Sequence, residues 1–196
     1  YEYDVSGNRT SVTASDVVRS FSFAYNYNYD KNNRLTELNA SPFEKGGLRG
    51  IFAFAYDTLG RRTKLTYPNG VTTTYSYDSI GRLTNLLTQY AELKDQGKKR
   101  PPTLKLHTID SFTYTHDKVG NRLTKTDTHT ETDTDTKYTY DAIYRLLQST
   151  PVKIGHNGKE REFEHKSEIF TYDAVGNRLT GPKDKLSYTY NTANQL

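Results

Sequence analysis

A short aromatic motif recurs eight times along the chain and constrains its fold more than any other feature. Each copy has two aromatic residues separated by one residue, followed by Asp or Asn. Two variable residues come next, then usually Gly or Asn, and then a returning segment such as Arg-Leu-Thr. The second aromatic positions are 26, 27, 21, 39, 24, 32 and 18 residues apart, and 13 of the 17 tyrosines lie in the motifs. Such self-similarity is typical of repeat proteins, whose neighbouring units share one core. The copies start at Tyr1, Tyr27, Phe54, Tyr75, Tyr114, Tyr138, Phe170 and Tyr188.

Each copy has the pattern of a β-hairpin. Aromatic side chains two residues apart lie on one face of a strand, and Tyr, Phe and Thr favour strands. The Asp that follows favours a turn, because its carboxylate can accept the backbone N–H two residues on. A glycine three residues after Asp is typical of a type I turn closed by a G1 bulge, where that residue has a positive φ. The position is filled by Gly7, Gly60, Gly81, Gly120 and Gly176, and by Asn33 and Asn194 in two other copies.

Other segments vary the pattern. Tyr144 stands at the glycine position of the sixth copy, where a bulky side chain fits poorly, so a different turn is predicted there. Pro68-Asn69-Gly70 and His156-Asn157-Gly158 predict second turns that close two of the units. Residues 41–50 and 89–105 interrupt the motif spacing and are predicted to be loop insertions.

The composition indicates an ordered chain without a thick aliphatic core. Hydrophobic residues make up 33% of the chain and the mean hydropathy is −0.87, yet 13% of residues are aromatic, and disordered chains are poor in aromatics. Because cysteine is absent, disulfides and thiolate chemistry are excluded. The longest apolar run, Ile51 to Tyr56, is far shorter than the ~20 residues of a membrane helix, so no membrane insertion is expected. The net charge of +4 is spread along the chain, so no nucleic-acid partner is expected.

These patterns predict an all-β fold. Tandem hairpins would form one curved antiparallel sheet, with a single array over residues 1–196 and the two insertions as loops. No hairpin of this kind can bury its aromatic face alone, so each copy is expected to pack on its neighbours.

The eight copies resemble the YD repeats of the Rhs (rearrangement hotspot) family. The resemblance is closest at Tyr75–Thr84 and Phe170–Thr180, and Tyr67-Pro68-Asn69-Gly70-Val71 ahead of a Tyr-x-Tyr-Asp is also similar. It covers essentially the whole chain apart from the insertions. Similar repeats occur in bacterial Rhs toxins, insecticidal toxin-complex proteins, wall-associated proteins and animal teneurins.

The resemblance implies that the hairpins join edge to edge in a sheet that spirals into a hollow β-shell. In the bacterial toxins such a shell encloses a variable C-terminal toxin domain. It therefore implies a non-enzymatic segment of a polymorphic-toxin shell, secreted or on the bacterial cell surface, whose partners are the rest of the shell and its toxin cargo. Shells of this family end in an Asp-Pro-rich processing motif. No Asp here is followed by Pro, so a self-cleavage centre is not expected on this chain.

The motif residues are predicted to have structural roles, since catalysis requires one unusual copy and this arrangement repeats. The Arg of each copy is predicted to pair with the motif Asp or to stack on a motif Tyr across the strand pair. The Asp and Arg positions are Asp4/Arg9, Asp30/Arg34, Asp57/Arg61, Asp78/Arg82, Asp117/Arg122, Asp141/Arg145 and Asp173/Arg178. The structural motif residues are Tyr3, Asp4, Gly7, Arg9, Tyr29, Asp30, Arg34, Tyr56, Asp57, Gly60, Arg61, Tyr77, Asp78, Gly81, Arg82, His116, Asp117, Gly120, Arg122, Tyr140, Asp141, Arg145, Tyr172, Asp173, Gly176 and Arg178.

Other chemistry is less favoured. A surface adhesion or carbohydrate-binding module is the alternative function, because exposed Tyr rings suit apolar sugar faces; packing of the rings on one another accounts for the same residues. Carboxylates at Asp127, Glu131, Asp133 and Asp135 could collect a hard cation, but no Gly-punctuated calcium loop accompanies them, so no metal or cofactor is predicted. No nucleophile or phosphate-binding motif is present, so no enzyme is predicted.

Overall fold

A computed structural model describes residues 1–16, 21–40, 50–94, 101–128, 134–154, 160–162, 166–180 and 187–195. The predicted turn at His156-Asn157-Gly158 and two of the four clustered carboxylates, Glu131 and Asp133, lie outside these ranges. So does the inner part of each predicted insertion, 41–49 and 95–100.

The chain divides into two compact units, residues 1–109 and 110–196. Each unit is antiparallel, and strands that are neighbours along the chain are hydrogen-bonded, except that the last strand pairs with the strand two before it. No α-helix occurs in the described ranges. This confirms the all-β prediction, whereas a single array over 1–196 stays a prediction.

The first unit contains nine strands in sequential order, the last of which continues into the second unit. They are β1 (Glu2–Tyr3), β2 (Arg9–Asp16), β3 (Phe21–Tyr29), β4 (Leu35–Ala40), β5 (Gly50–Tyr56), β6 (Arg62–Thr66), β7 (Thr72–Tyr77), β8 (Leu83–Lys94) and β9 (Thr103–His116).

The second unit continues from β9 in the same sequential order. Its strands are β10 (Arg122–Asp127), β11 (Thr134–Tyr140), β12 (Leu146–Ile154), β13 (Glu160–Glu162) and β14 (Glu168–Ile169). Both β13 and β14 pair with β12, β13 at Val152–Ile154 and β14 at Gln148 and Ser149.

The motif turns lie at one end of the strands in each unit. They connect β1 to β2, β3 to β4, β5 to β6 and β7 to β8 in the first unit, and β9 to β10 and β11 to β12 in the second. Because strands in a meander reverse at each turn, the other connections lie at the opposite strand ends. The recurring chemistry of the motif is thereby collected at one end of the strands in each unit.

One face of the first unit is aromatic and aliphatic. Tyr27 pairs with Leu38, which pairs in turn with Phe52, and these side chains share a face and are half-buried. The neighbouring positions on the other face are polar, as in the Asn28–Glu37 pair. Among the described residues the buried hydrophobic side chains are Ala40, Val152 and Phe170. Rings rather than a thick aliphatic core therefore supply most of the packing.

The predicted insertion at 89–105 is wrong at both of its ends. Strand β8 continues to Lys94 and β9 begins at Thr103, and the two strands are hydrogen-bonded neighbours. Cross-strand contacts support the pairing, because the rings of Tyr90 and His107 stack with centroids 4.7 Å apart and His107 Nε2 lies 2.7 Å from Glu92 Oε2. The spacing and polar composition of the segment resembled a loop, but its alternating residues pair across two strands.

The predicted insertion at 41–50 joins two strands that are neighbours in the sheet. Ala40, the last residue of β4, pairs with Gly50, the first residue of β5. Gly50 is therefore part of a strand, and residues 41–49 join two positions that lie opposite each other in the sheet.

Candidate functional site: the motif turns

All eight motif turns have the same backbone hydrogen bonds. The N–H of the motif Asp or Asn donates to the carbonyl four residues on, and the N–H three residues on donates back to the carbonyl of the motif residue. In the turn at Asp78, these bonds are 2.9 Å to Arg82 O and 3.1 Å from Gly81 N. Gly81 has a φ of +90°, as a G1 bulge requires. The predicted turn type is confirmed, and Tyr67-Pro68-Asn69-Gly70-Val71 forms the same turn with Tyr67 in place of Asp.

The motif carboxylate closes each turn from inside. In the fourth copy Asp78 Oδ1 accepts the N–H of Ile80 at 3.1 Å and that of Arg82 at 2.9 Å. The backbone N–H of Arg82 is the largest influence on the Asp78 carboxyl and lowers its pKa below the ordinary value of 3.8, and the Arg82 side chain adds to this against the opposing effect of desolvation. Asn191 replaces Asp in the eighth copy and accepts the same two N–H groups through its amide oxygen.

The side chain four residues after the motif Asp binds its other oxygen; we call this residue the bridge residue. It is arginine in four copies, with Nε 2.6–2.7 Å from Oδ2 of the carboxylate. It is asparagine in three others, with Nδ2 2.8–2.9 Å from Oδ2. The arginine bridge residues are Arg34, Arg61, Arg82 and Arg145, and the asparagine bridge residues are Asn8, Asn121 and Asn177.

Four of the seven predicted Asp–Arg pairs are therefore confirmed, and in the other three copies the arginine takes the alternative role of stacking on a motif ring. In the copies of Asp4/Arg9, Asp117/Arg122 and Asp173/Arg178, the arginine is five residues from Asp, and asparagine takes the bridge position. The prediction matched the copies by their arginine. The constant spacing of four residues from Asp is the signal that would have found the correct partner.

The bridge residue also reaches the next repeat. Arg34 Nη1 donates to the Asp57 carbonyl at 3.1 Å, and Arg61 Nη1 to the Asp78 carbonyl at 3.2 Å. The same guanidinium groups lie over the motif Tyr of the next repeat, Arg34 4.9 Å from the Tyr56 centroid and Arg61 4.7 Å from the Tyr77 centroid. Arg34, Arg61 and Arg145 thus each connect their own carboxylate, the next turn and the next ring.

The motif Tyr makes the reciprocal link. Its hydroxyl donates at 2.8–2.9 Å to the carbonyl of the residue five after the preceding motif Asp. Burial raises the pKa of Tyr77 and Tyr140, which keeps these hydroxyls protonated as donors. His116 holds this position in the fifth copy, and imidazole has no hydroxyl. The donor–acceptor pairs are Tyr29–Arg9, Tyr56–Leu35, Tyr77–Arg62, Tyr140–Arg122, Tyr172–Leu146 and Tyr190–Arg178.

An arginine five residues after the motif Asp has a different role. Its guanidinium lies over the first aromatic ring of its own copy, at 4.2–5.2 Å from the centroid, where a cation–π contact is favourable. The prediction did not separate this arginine from the bridge arginine. The pairs are Arg9–Tyr1, Arg62–Phe54, Arg122–Tyr114 and Arg178–Phe170.

The different turn predicted at Tyr144 is wrong. Tyr144 N–H donates to the Asp141 carbonyl at 3.0 Å, as glycine does in the other copies, and Tyr144 has a φ of +67°. The Asp141 carboxylate and the Arg145 bridge are both in place. The remaining turn contacts therefore hold a tyrosine in a left-handed conformation that it would otherwise avoid.

The chain is similar to known proteins in sequence and in structure. The RHS Repeat family model matches residues 53–89, which include the third and fourth motif turns. Toxin subunit YenC2 of Yersinia entomophaga is 24% identical over 177 residues, covering 75% of this chain and 17% of its own length. Residues 53–89 of this chain are therefore similar to an Rhs repeat.

The fold of this chain is similar to that of solved structures. A crystal structure of TcdB2-TccC3-TEV matches with a TM-score of 0.50 and 16% identity, over 91% of this chain and 11% of that one. A crystal structure of TcdB2-TccC3 matches with a TM-score of 0.49 at the same identity, over 95% of this chain and 12% of that one. The array thus spans about a sixth of the curated relative and about a tenth of the solved chains.

The contacts of the motif residues favour a structural use. One face of the Tyr56, Tyr77 and Tyr172 rings is covered by a guanidinium group, and all three hydroxyls are bonded to backbone. Within the described ranges no three His, Asp or Glu side chains group as a metal site. No helix in those ranges is long and apolar enough to cross a membrane.

Replacing Asp78 is expected to separate the two functions of the motif carboxylate. Asp78→Asn keeps an oxygen acceptor for the turn, as Asn191 does, but loses the charge that binds Arg82. Asp78→Ala loses both. At neutral pH the melting temperature should fall in the order wild type, Asn, Ala, measured by circular dichroism.

The same variants have an expected pH dependence. A carboxylate with a lowered folded-state pKa stabilises fully above its ordinary pKa of 3.8, and this stabilisation is lost as the pH falls through the lower folded value. The gap between wild type and Asp78→Asn should therefore narrow in acid. Equal melting temperatures for the Asn and Ala variants would contradict the turn role of the carboxylate.

Tyr77→Phe is expected to cost about 1 kcal/mol of unfolding free energy. The change removes the hydroxyl that donates to the Arg62 carbonyl at 2.8 Å and leaves the ring under Arg61. Tyr75→Phe in the same motif is the matched control, since its hydroxyl makes no such link in the described structure. Chemical denaturation of both variants measures the difference, and equal losses would argue against the link.

Tyr144→Gly is expected to stabilise the second unit by about 1 kcal/mol. A non-glycine residue in the left-handed region costs about 1–2 kcal/mol, partly offset by the greater freedom of glycine in the unfolded chain. Tyr144→Asn should give part of the gain, because Asn33 and Asn194 hold the same conformation. A lower midpoint in urea for both variants would show that the Tyr144 ring stabilises the unit by more than its backbone costs.

Proposed function

We propose that this chain is a non-enzymatic stretch of the wall of a secreted β-shell that encloses and delivers a C-terminal toxin domain. The observation that carries the proposal is the two-way link between successive repeats. A bridge residue reaches forward to the next turn, and a tyrosine reaches back to the preceding strand.

This arrangement suits a wall because each repeat is stabilised by its neighbours and not by a core of its own. A guanidinium held by a carboxylate, a carbonyl and a ring fixes the spacing between turns in three directions. A sheet with constant spacing between repeats can be lengthened by adding further repeats. A catalytic site, in contrast, requires one copy that differs from the others. The similarity to a toxin subunit and to the TcdB2-TccC3-TEV fold supports the same use.

Protease protection of the full-length gene product tests the proposal. A C-terminal domain enclosed by the wall should survive digestion in the wild type. It should become digestible when the link is cut by Arg61→Gln with Tyr77→Phe, whereas Ser76→Ala, at an exposed position beside Tyr77, should leave it protected. A C-terminal domain that is digested equally in all three proteins would overturn enclosure, and specific glycan binding by the array would favour the adhesion function instead.

A further inference from the structure

Five of the motif turns present an aliphatic side chain to water. The residue is always the second after the motif Asp, and between 60% and 73% of each is exposed. Two lie in the first unit and three in the second. They are Leu59 and Ile80, and Val119, Ile143 and Val175.

The turn itself does not require these side chains. The contribution of this residue to the turn is its backbone N–H, which donates to the motif carboxylate, and Ile80, Ile143 and Val175 make that bond at 3.0–3.1 Å. Asn32 and Ser6 make it equally well at 2.8 and 2.9 Å in the second and first copies. Small polar residues are favoured in turns, whereas β-branched residues are not. A local preference that is broken at the same position in five copies indicates a second role.

The side chains form a row of constant period within each unit. Successive motif turns are two strands apart, which corresponds to about 10 Å. Their spacing is held by the bridge residues, since Arg61 Nη1 reaches the Asp78 carbonyl at 3.2 Å and Arg145 Nη1 the Asp173 carbonyl at 3.4 Å. The row in the second unit therefore holds Val119, Ile143 and Val175 at regular intervals along the strand ends.

We propose that this row is a docking edge for another stretch of the same repeat array, outside the residues of this chain. The inference rests on the proposed function, in which the chain is one part of a longer wall. Two observations indicate this occupant, the length of the relative and the spacing of the repeats. This chain spans 17% of Toxin subunit YenC2, so a protein of that size has several further stretches available. A second stretch of hairpins has the same period of about 10 Å, and its side chains can therefore meet the row at every turn.

Cysteine accessibility tests the docking edge, because the chain contains no cysteine and a single one can be labelled uniquely. Ile143→Cys and Ala142→Cys occupy adjacent exposed positions of one turn. Each is made in this chain alone and in the full-length gene product, with any other cysteine there changed to serine, and the rate of maleimide labelling is measured. Cys at 143 should label at least 10-fold more slowly in the full-length protein than in the isolated chain, while Cys at 142 should change by less than 2-fold.

Two results would overturn the docking edge. Equal labelling of position 143 in both proteins would show that nothing covers the row. Equal protection of positions 142 and 143 would show that the whole turn is enclosed and not contacted by a specific surface.

A second measurement separates packing from accessibility. Ile143→Ser with Val175→Ser should leave the melting temperature of the isolated chain unchanged, because both side chains are exposed there, and should lower that of the full-length protein. No difference in the full-length protein would count against docking. The protease experiment keeps this test distinct from the proposed function. If the full-length protein encloses its C-terminal domain but position 143 labels freely, only the docking edge is overturned. If position 143 is protected but no domain is enclosed, only the enclosure is overturned.

Discussion

Phe170→Ala is expected to lower the unfolding free energy of the second unit by about 3 kcal/mol. Phe170 is only 6% exposed, its ring lies 4.2 Å from the Arg178 guanidinium, and its backbone N–H donates to the Leu147 carbonyl at 2.8 Å. Truncation of a buried Phe leaves a cavity and removes the apolar contact, which together cost about 3–5 kcal/mol in well-packed cores. The low end applies here because one sheet gives the site fewer neighbours.

Ile169→Ala is the matched control for Phe170. Ile169 is the adjacent residue and is 48% exposed, so its truncation should cost less than about 1 kcal/mol. Urea denaturation followed by tyrosine fluorescence measures both variants. Equal losses at the two positions would show that the Phe170 ring is not the centre of packing in this unit.

Gly50→Ala is expected to cost about 3 kcal/mol in the first unit. Gly50 has a φ of +131°, and a Cβ at this position would lie 2.6 Å from the Cβ of Pro68. The backbone conformation is open almost only to glycine and costs about 1–3 kcal/mol for other residues. The proline ring cannot rotate away, so the overlap adds a strain of about 1–3 kcal/mol.

Gly70→Ala separates the two contributions. Gly70 also has a positive φ, of +81°, but a Cβ there would meet no atom within 4 Å. The variant therefore measures the strain of a positive φ without a contact, and the excess loss in Gly50→Ala measures the contact with Pro68 together with the more restricted backbone conformation at Gly50. Thermal denaturation of both proteins gives the comparison, and a Gly50→Ala loss no larger than that of Gly70→Ala would exclude the close approach.

The motif turns could be predicted in detail because their chemistry is local. A carboxylate that accepts two N–H groups within four residues, and a glycine or asparagine that tolerates positive φ, need no distant partner. The eight turn positions and the alternation of the aromatic strands followed from the same short-range rules. The bridge arginines were predicted wherever arginine stands four residues after Asp, as in Asp57 and Arg61.

The errors have two sources, which are competition between contacts within one turn and pairing with a segment that is distant along the chain. Asn8 displaces Arg9 from the Asp4 carboxylate because a single residue of spacing changes which side chain reaches it. The strand ends at Lys94 and Thr103 depend on pairing between two segments that look irregular one at a time. Tyr144 keeps its turn because Asp141 and Arg145 close it from both sides.

Short-range chemistry set where the chain turns, which residues alternate on each strand, and that the unit is a repeated hairpin. The links between repeats depend on the folded sheet: a tyrosine hydroxyl donates to the preceding repeat, a guanidinium donates to the next one, and a row of aliphatic side chains is exposed to water. Distance explains this difference. Turn chemistry acts within five residues of one chain segment, whereas these contacts join atoms that come together only after neighbouring hairpins have paired.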